Sequence, residues 1–430
     1  MSKIITQVAL DLVDTHRAVQ IAREAVEGGI DWLEAGTPLI KSEGMEIIRR
    51  LKTEFPGNTI VADMKTLDVG GLEVEMATKS GAGVVCIMGM SENSCITEAV
   101  KSARQYGSKI MIDMMQVPDK AKRAKEVEAL GADYICIHVS IDQQMVGGNP
   151  LADLKAVSGA VGIPVAVAGG INSETAPLAV ENGASVIIIG GAITKAKNVT
   201  EAARNIVKSV ESMKPVPTAE FKKYGAEEVR KALSMVSTPN IADAMHTRGS
   251  MAGITPLIGR NVKMIGQAVT VRTMDGDWAK VVEAIDHCKA GDVIVVDVHG
   301  GEMAVWGELA SWSSKMRGVS GIVIDGAIRD VGSIIDMEFP AFARHRRPAA
   351  GEPKGLGEIG VEIICGGQCV RPGDWIMGDE SGVVVIPEKD AMEIANRALD
   401  VMEREERIRE EIKRGSTLSE VIALKKWEKR

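Results

Sequence analysis

The densest chemistry in the chain is the run Asp63-Met64-Lys65-Thr66-Leu67-Asp68. It ends an aliphatic stretch that reads as a β-strand. Alternation along a strand end would put Asp63 and Lys65 on the same side. Side by side they form a carboxylate–ammonium pair in which each holds the other charged, and the ammonium could stabilise an enediolate. Other ionisable groups lie at or near the ends of other strand-like runs: Asp11 just after the first, Glu34 within the second, and Asp113 and His138 at the fifth and sixth. One such carboxylate is usually a turn or cap residue. Several, from separate strands reaching one mouth, point to a catalytic centre. Glu34 and Asp63 are hard oxygen donors of the kind Mg²⁺ takes in ones or twos, with water and substrate oxygens completing its shell. His138, ordinarily titrating near ~6.5, suits proton transfer; a buried, hydrogen-bonded strand-end histidine is the other reading. Two glycine pairs, Gly169-Gly170 and Gly190-Gly191, follow the seventh and eighth runs. Glycine there lets backbone N–H groups approach a phosphate.

The elements that must carry these groups are regular. Eight strand-like runs recur across the first 200 or so residues: Ile4–Leu10, Trp32–Ala35, Thr59–Asp63, Val84–Met88, Lys109–Asp113, Tyr134–His138, Pro164–Ala168 and Ser185–Ile189. Amphipathic helical segments separate them. In the first, Ala18, Ile21, Ala22, Ala25 and Val26 fall on one face, with Asp14 as N-cap. This predicts a (β/α)₈ barrel over 1–213. No glycine-rich dinucleotide loop follows the first strand, which argues against a doubly wound sheet. Lys214-Pro215-Val216-Pro217-Thr218 reads as extended linker within 214–225. A second α/β domain is expected over 226–400. It opens with a helix and a Ser237–Asn240 turn, followed by strands at Gly266–Thr273, Asp292–Val298, Gly321–Ile324 and Gly382–Ile386. Residues 401–430 read as a charged, solvated helical tail that could alternatively serve subunit contacts.

Composition narrows the class. The net charge of -8 argues against general nucleic-acid or anionic-membrane binding. Aromatics are only 3%, so the cores must rest on aliphatic residues and methionine. The first apolar run ends in a carboxylate and reads as a strand, not a signal peptide. No run reaches the ~18 apolar residues of a membrane span. Six scattered cysteines, with only Cys365 and Cys369 close together, suggest a reduced thiol set and a cytoplasmic protein.

The first half resembles the orotidine-monophosphate decarboxylase suprafamily, and within it most closely the 3-hexulose-6-phosphate synthases. The likeness rests on Ala9-Leu10-Asp11, on Leu33 to Ile40, on Asp63-x-Lys65-x-x-Asp68 and on Ala168-Gly169-Gly170. It implies an enzyme that joins formaldehyde to ribulose 5-phosphate, or runs the reverse cleavage, in a homo-oligomer. Glu34 and Asp63 would hold Mg²⁺ (or Mn²⁺). Lys65 would face the enediolate oxygen, with Asp11 and His138 beside it. Asp68 would reach a neighbouring subunit's site. Related keto-gulonate-phosphate decarboxylases resemble the site too, but typically carry Arg where this chain has Ile141. The sequence after Gly190-Gly191 offers no Arg, so the phosphate would rest mainly on backbone N–H groups.

The second half resembles the ribonuclease-activity-regulator A family, which includes 4-hydroxy-4-methyl-2-oxoglutarate aldolases. The likeness lies in Gly300 to Glu308, Val323 to Asp330 and Asp379 to Pro387. It implies a swivelling β/β/α fold. Arg329 would bind a small oxo-acid bidentately, Asp330 would hold a metal's water shell, and Glu308 would stand where aldolase members often have Asp. Two other readings stay open: Arg329–Asp330 as a structural ion pair, and the domain as a non-catalytic binding or oligomerisation module.

Overall fold

The computed structural model describes residues 3–218, 221–257, 259, 262–422 and 424. Parts of the expected linker (219–220) and tail (423 and 425–430) lie outside the described residues. The chain divides into two compact units: Met1–Lys223 with Glu403–Arg430, and Tyr224–Met402.

The first unit holds a closed barrel of eight parallel strands in sequence order. They are β1 Ile5–Leu10, β2 Trp32–Ala35, β3 Thr59–Thr66, β4 Val84–Met88, β5 Lys109–Asp113, β6 Tyr134–His138, β7 Val165–Ala168 and β8 Val186–Ile189. The strands are short and rich in Val and Ile because both faces are buried. Outward residues such as Leu10, Leu33, Ile60, Val85 and Ile187 pack under the helices. Inward residues fill the lumen, among them Val61, Cys86, Met111, Tyr134, Cys136 and Ala166, so it is a packed core and not a pore. Asp14 caps helix Thr15–Glu27 by accepting from Arg17 N. Asn198 does the same for Val199–Ser212 through Glu201 N.

Residues 214–218 are not a free tether. Val216 N donates to Ser173 O at 3.0 Å, Ser173 Oγ donates to Val216 O at 2.8 Å, and Thr218 N donates to Glu174 Oε1 at 2.9 Å. The chain from Glu403 onward also packs within this unit, with Glu403, Arg407 and Glu411 buried. A helix dense in Glu and Arg looks solvated in sequence, but these three lie at i, i+4, i+8 on one face.

The second unit is built on a mixed sheet. Its strands are β9 Thr255–Leu257, β10 Met264–Arg272, β11 Val293–Asp297, β12 Gly321–Ile328, β13 Ala341–Arg346, β14 Glu358–Ile359, β15 Ile363–Cys365, β16 Gln368–Val370, β17 Trp375–Asp379 and β18 Gly382–Ile386. The main sheet runs β18-β17-β10-β11-β12-β13-β9, with β14 on β10 and a separate β15-β16 hairpin. β10 to β13 pair in parallel; β17 and β18 pair antiparallel at one edge. Ser237–Asn240 is not a free-standing turn. Ser237 and Asn240 form a reciprocal capping box that starts helix Thr238–Ala244, with Pro239 in its first turn.

Candidate active site

β3 carries the centre, though not by plain alternation. Pairing with β4 slips between Asp63 and Thr66, and Lys65 adopts a left-handed φ of 49°. That conformation costs an ordinary residue roughly 1–2 kcal/mol. It persists because the ammonium is held at its far end: Lys65 Nζ donates to Asp63 Oδ2 at 3.0 Å and to Asp113 Oδ2 at 3.2 Å. Thr37 Oγ1 donates to Asp63 Oδ2 at 2.7 Å. Burial alone would lower the affinity of Lys65 for its proton; Asp63 and Asp113 outweigh it and push the ammonium's pKa up.

Asp113, at the end of β5, joins Lys65 to the histidine. Its Oδ2 also faces His138 Nδ1 at 2.8 Å, and its Oδ1 accepts from Met115 N at 2.9 Å. Burial would raise its pKa, but the His138 hydrogen bond, the His138 charge and Lys65 carry it below the usual carboxylate value. Sequence reasoning gave Asp113 no role. Its place at a strand end was the available signal.

Glu34 is buried in the barrel mouth, and Gln7 Nε2 donates to its Oε2 at 2.6 Å. Burial first, then the charges of Asp63 and Asp11, push its pKa well up. Asp11 is open to water on one side, yet crowding by protein atoms and the Asp63 charge raise it as well. Three acidic groups thus load one mouth, and Glu34 and Asp11 are each raised by their acidic neighbours. Such a set favours a bound cation, and Glu34 and Asp63 are hard donors that fit Mg²⁺. Among the described residues no group of three or more His, Cys, Asp or Glu is arranged to ligate an ion. Burial and the same acids raise the pKa of the Cys86 and Cys136 thiols beneath, keeping them protonated.

The glycines border this cluster. A β-carbon at Gly36 would lie 2.3 Å from Asp11 Oδ1, so any side chain there would displace Asp11. A β-carbon at Gly190 would lie 3.9 Å from Asp11 Oδ2. Gly169 has φ 105°, and a β-carbon would meet Val139 O at 2.4 Å, next to His138. Glu34, Asp63, Lys65, His138, Asp11 and both glycine pairs therefore share one end of the barrel. A cation is also at hand: Lys195 Cδ lies 3.6 Å from the β-carbon position of Gly191. Asp68 sits on the exposed loop after β3, where its Oδ1 accepts from Val69 N at 2.7 Å. It lines a cleft of about 640 Å³ with Leu67, Val69, Leu72, Glu92 and Glu98.

In the second unit the structure brings Glu308, Arg329 and Asp330 together. Arg329 Nε lies 3.4 Å from Asp330 Oδ2, and Glu308 N donates to the same oxygen at 3.2 Å. Asp330 thereby caps helix Glu308–Met316, and Arg329 is anchored by its N–H on Trp306 O at 3.0 Å. Both side chains remain nearly half exposed.

Because the Asp113 pKa is depressed in the fold, its ionisation adds stability above its unfolded value near 3.8. That contribution is lost as pH falls through the lower folded value. Asp113→Asn is expected to lose about 3 kcal/mol at pH 7 and to show a shallower decline below pH ~4. Urea unfolding of both forms from pH 7 to 3 measures this; parallel profiles would refute it.

A closed eight-stranded barrel with acids, a lysine and a histidine at the glycine-bearing mouth defines a (β/α)₈ protein with an enzyme-type site. The chain belongs to the orotidine 5'-phosphate decarboxylase / HUMPS family, whose model matches residues 6–206. An RraA-like model, described as Aldolase/RraA, matches residues 238–385. The barrel is similar to the 3-hexulose-6-phosphate synthase of Bacillus subtilis, 38% identical over 46% of this chain and 94% of that protein. The synthase of Methylomonas aminofaciens is 40% identical over 47% and 97% respectively. The crystal structure of the Salmonella typhimurium synthase covers 49% of this chain and all of its own, at 31% identity and TM-score 0.48.

Proposed function

We propose that the barrel is a carbon–carbon lyase that joins formaldehyde to ribulose 5-phosphate, giving 3-hexulose 6-phosphate, or cleaves that product. The observation that carries this reading is the Lys65 ammonium held between Asp63 and Asp113, with His138 Nδ1 on the same Asp113 oxygen. The forward reaction removes a proton from carbon 1 of the sugar, the enediolate left behind adds to the aldehyde carbon, and the alkoxide formed on the former aldehyde oxygen takes up a proton. Asp113 fixes Nδ1 of His138 and leaves Nε2 as the nitrogen that exchanges protons. The Lys65 charge, already in place, faces the developing oxyanion with no reorganisation. Gly169, Gly170, Gly190 and Gly191 would present N–H groups to the phosphate, with Lys195 adding charge. Glu34 and Asp63 would hold Mg²⁺ (or Mn²⁺), a Lewis acid for the enediolate oxygens when bound. Asp68 and the exposed Leu67, Val69 and Leu72 suit a homo-oligomer contact that brings Asp68 to a neighbouring site.

The second domain is read as an oxo-acid site or a regulatory module. Arg329 would take the acid's carboxylate, beside Glu308. Asp330, one oxygen committed to Arg329 and Glu308 N, would offer the other to a metal's water.

The test uses the full chain with ribulose 5-phosphate and formaldehyde. Consumption of both is expected with Mg²⁺ and should fall at least ~10-fold with a chelator, returning when Mg²⁺ is restored. No consumption in either direction, with the protein folded, would end the reading.

A further inference from the structure

The family match ends at residue 206, yet the barrel unit takes in two later stretches: the residues through Lys223 and those from Glu403. Both converge on the loops after β7 and β8. Val216 and Thr218 bond to Ser173 and Glu174 on the β7 loop. Asn172 Nδ2 donates to Phe221 O at 3.4 Å. Phe221 Cδ1 lies 3.7 Å from the β-carbon position of Gly191, on the β8 loop.

Phe221 is held from behind by the charged second half of helix Ala391–Lys413. Its N–H donates to Glu403 Oε1 at 2.7 Å, and its φ of 59° is one a bulky residue seldom adopts unless its surroundings impose it. One turn on, Arg407 is 1% exposed. It donates to Ala196 O and Lys197 O, both at 3.4 Å, just past the β8 loop. Arg407 Nε donates to Glu411 Oε1 at 2.8 Å, and Arg17 Nη2 pairs with the same oxygen at 3.2 Å. That helix is thus tied at once to the β8 loop and to Phe221.

We propose that Phe221, seated by Glu403, is a wall residue at the phosphate end of the barrel site and sets its affinity for the sugar phosphate. This rests on reading Gly190 and Gly191 as part of the phosphate cradle. An aromatic ring against Gly191 excludes water from one side of the cradle, and N–H to phosphate attraction strengthens where the dielectric is lower. The positive ring edge also tolerates a phosphate oxygen.

The experiment measures KM and kcat for ribulose 5-phosphate in the full chain with Mg²⁺, for Phe221→Ala, Glu403→Met, Glu403→Gln and Gly191→Val. Phe221→Ala, which removes the ring, and Glu403→Met, which removes the acceptor that seats it, are each expected to raise KM about tenfold, with kcat within about twofold. Glu403→Gln keeps an acceptor for Phe221 N–H and should stay near wild type, which a general loss of fold would not allow. Gly191→Val should raise KM as well. If Gly191→Val raises KM while Phe221→Ala does not, the wall role alone is overturned. If Gly191→Val leaves KM unchanged, the phosphate reading fails and takes the wall with it.

Discussion

Lys65→Ala is expected to lower kcat by about 10²–10³-fold, the usual consequence of removing one fixed donor from a developing oxyanion. Its ammonium bridges two buried carboxylates at 3.0 and 3.2 Å, and its side chain is only a quarter exposed. Removing it takes away the ammonium at the centre and leaves Asp63 with the Thr37 hydroxyl and Asp113 with His138 and the Met115 N–H alone. The variant should therefore also lose roughly 3 kcal/mol of stability. Lys65→Arg keeps the charge but should not restore the rate. A planar fork cannot replace a compact ammonium that reaches both carboxylates from a strained backbone position. Steady-state kinetics with a thermal melt on the same preparation separates the two effects. A Lys65→Ala enzyme keeping more than a tenth of the wild-type kcat would remove Lys65 from the chemistry.

The barrel was legible because its physics is periodic: eight aliphatic runs at even spacing admit few architectures. The strand-end acids were legible for the same reason, since a strand's last residue faces the barrel mouth. What escaped depends on contacts between distant segments. Gln7 lies unremarked inside the first strand-like run, and only the fold shows its amide on Glu34. Asp113 drew no role because its meaning comes from Lys65 and His138, 48 and 25 residues away. The linker and tail misled through composition. Two prolines suggested a tether, yet Val216 and Thr218 are bonded to the β7 loop. A Glu-Arg-rich helix suggested solvent, yet one of its faces is buried by mutual pairing of its charges with the barrel. The Asp63–Lys65 pairing was foreseen for the wrong reason: a slip in the β3–β4 ladder, not alternation, sets Lys65 in place.

Glu34→Gln should separate activity from stability more sharply than any other change. Glu34 lies buried with its pKa raised by burial and by Asp63 and Asp11, so an ionised carboxylate there costs stability when no cation is bound. The same charge is what a divalent ion would need. Gln7 Oε1, beside it, is buried with no hydrogen-bond partner among the described residues. A glutamine at position 34 keeps an oxygen for Gln7 Nε2 and adds an N–H₂ that can satisfy Gln7 Oε1. It removes a buried acid that resists ionisation and can give the orphaned acceptor a partner. An unmet buried acceptor alone costs about 1–3 kcal/mol. The metal-free variant is therefore expected to be more stable than wild type by about 1–3 kcal/mol at pH 7, while kcat falls at least ~100-fold. Active sites retain such destabilising groups because function selects for them. Chemical denaturation of both proteins in chelator, with activity measured in Mg²⁺, tests both halves. If Glu34→Gln were active and less stable, Glu34 would be a structural acid, and the proposal that it holds a divalent ion would fall.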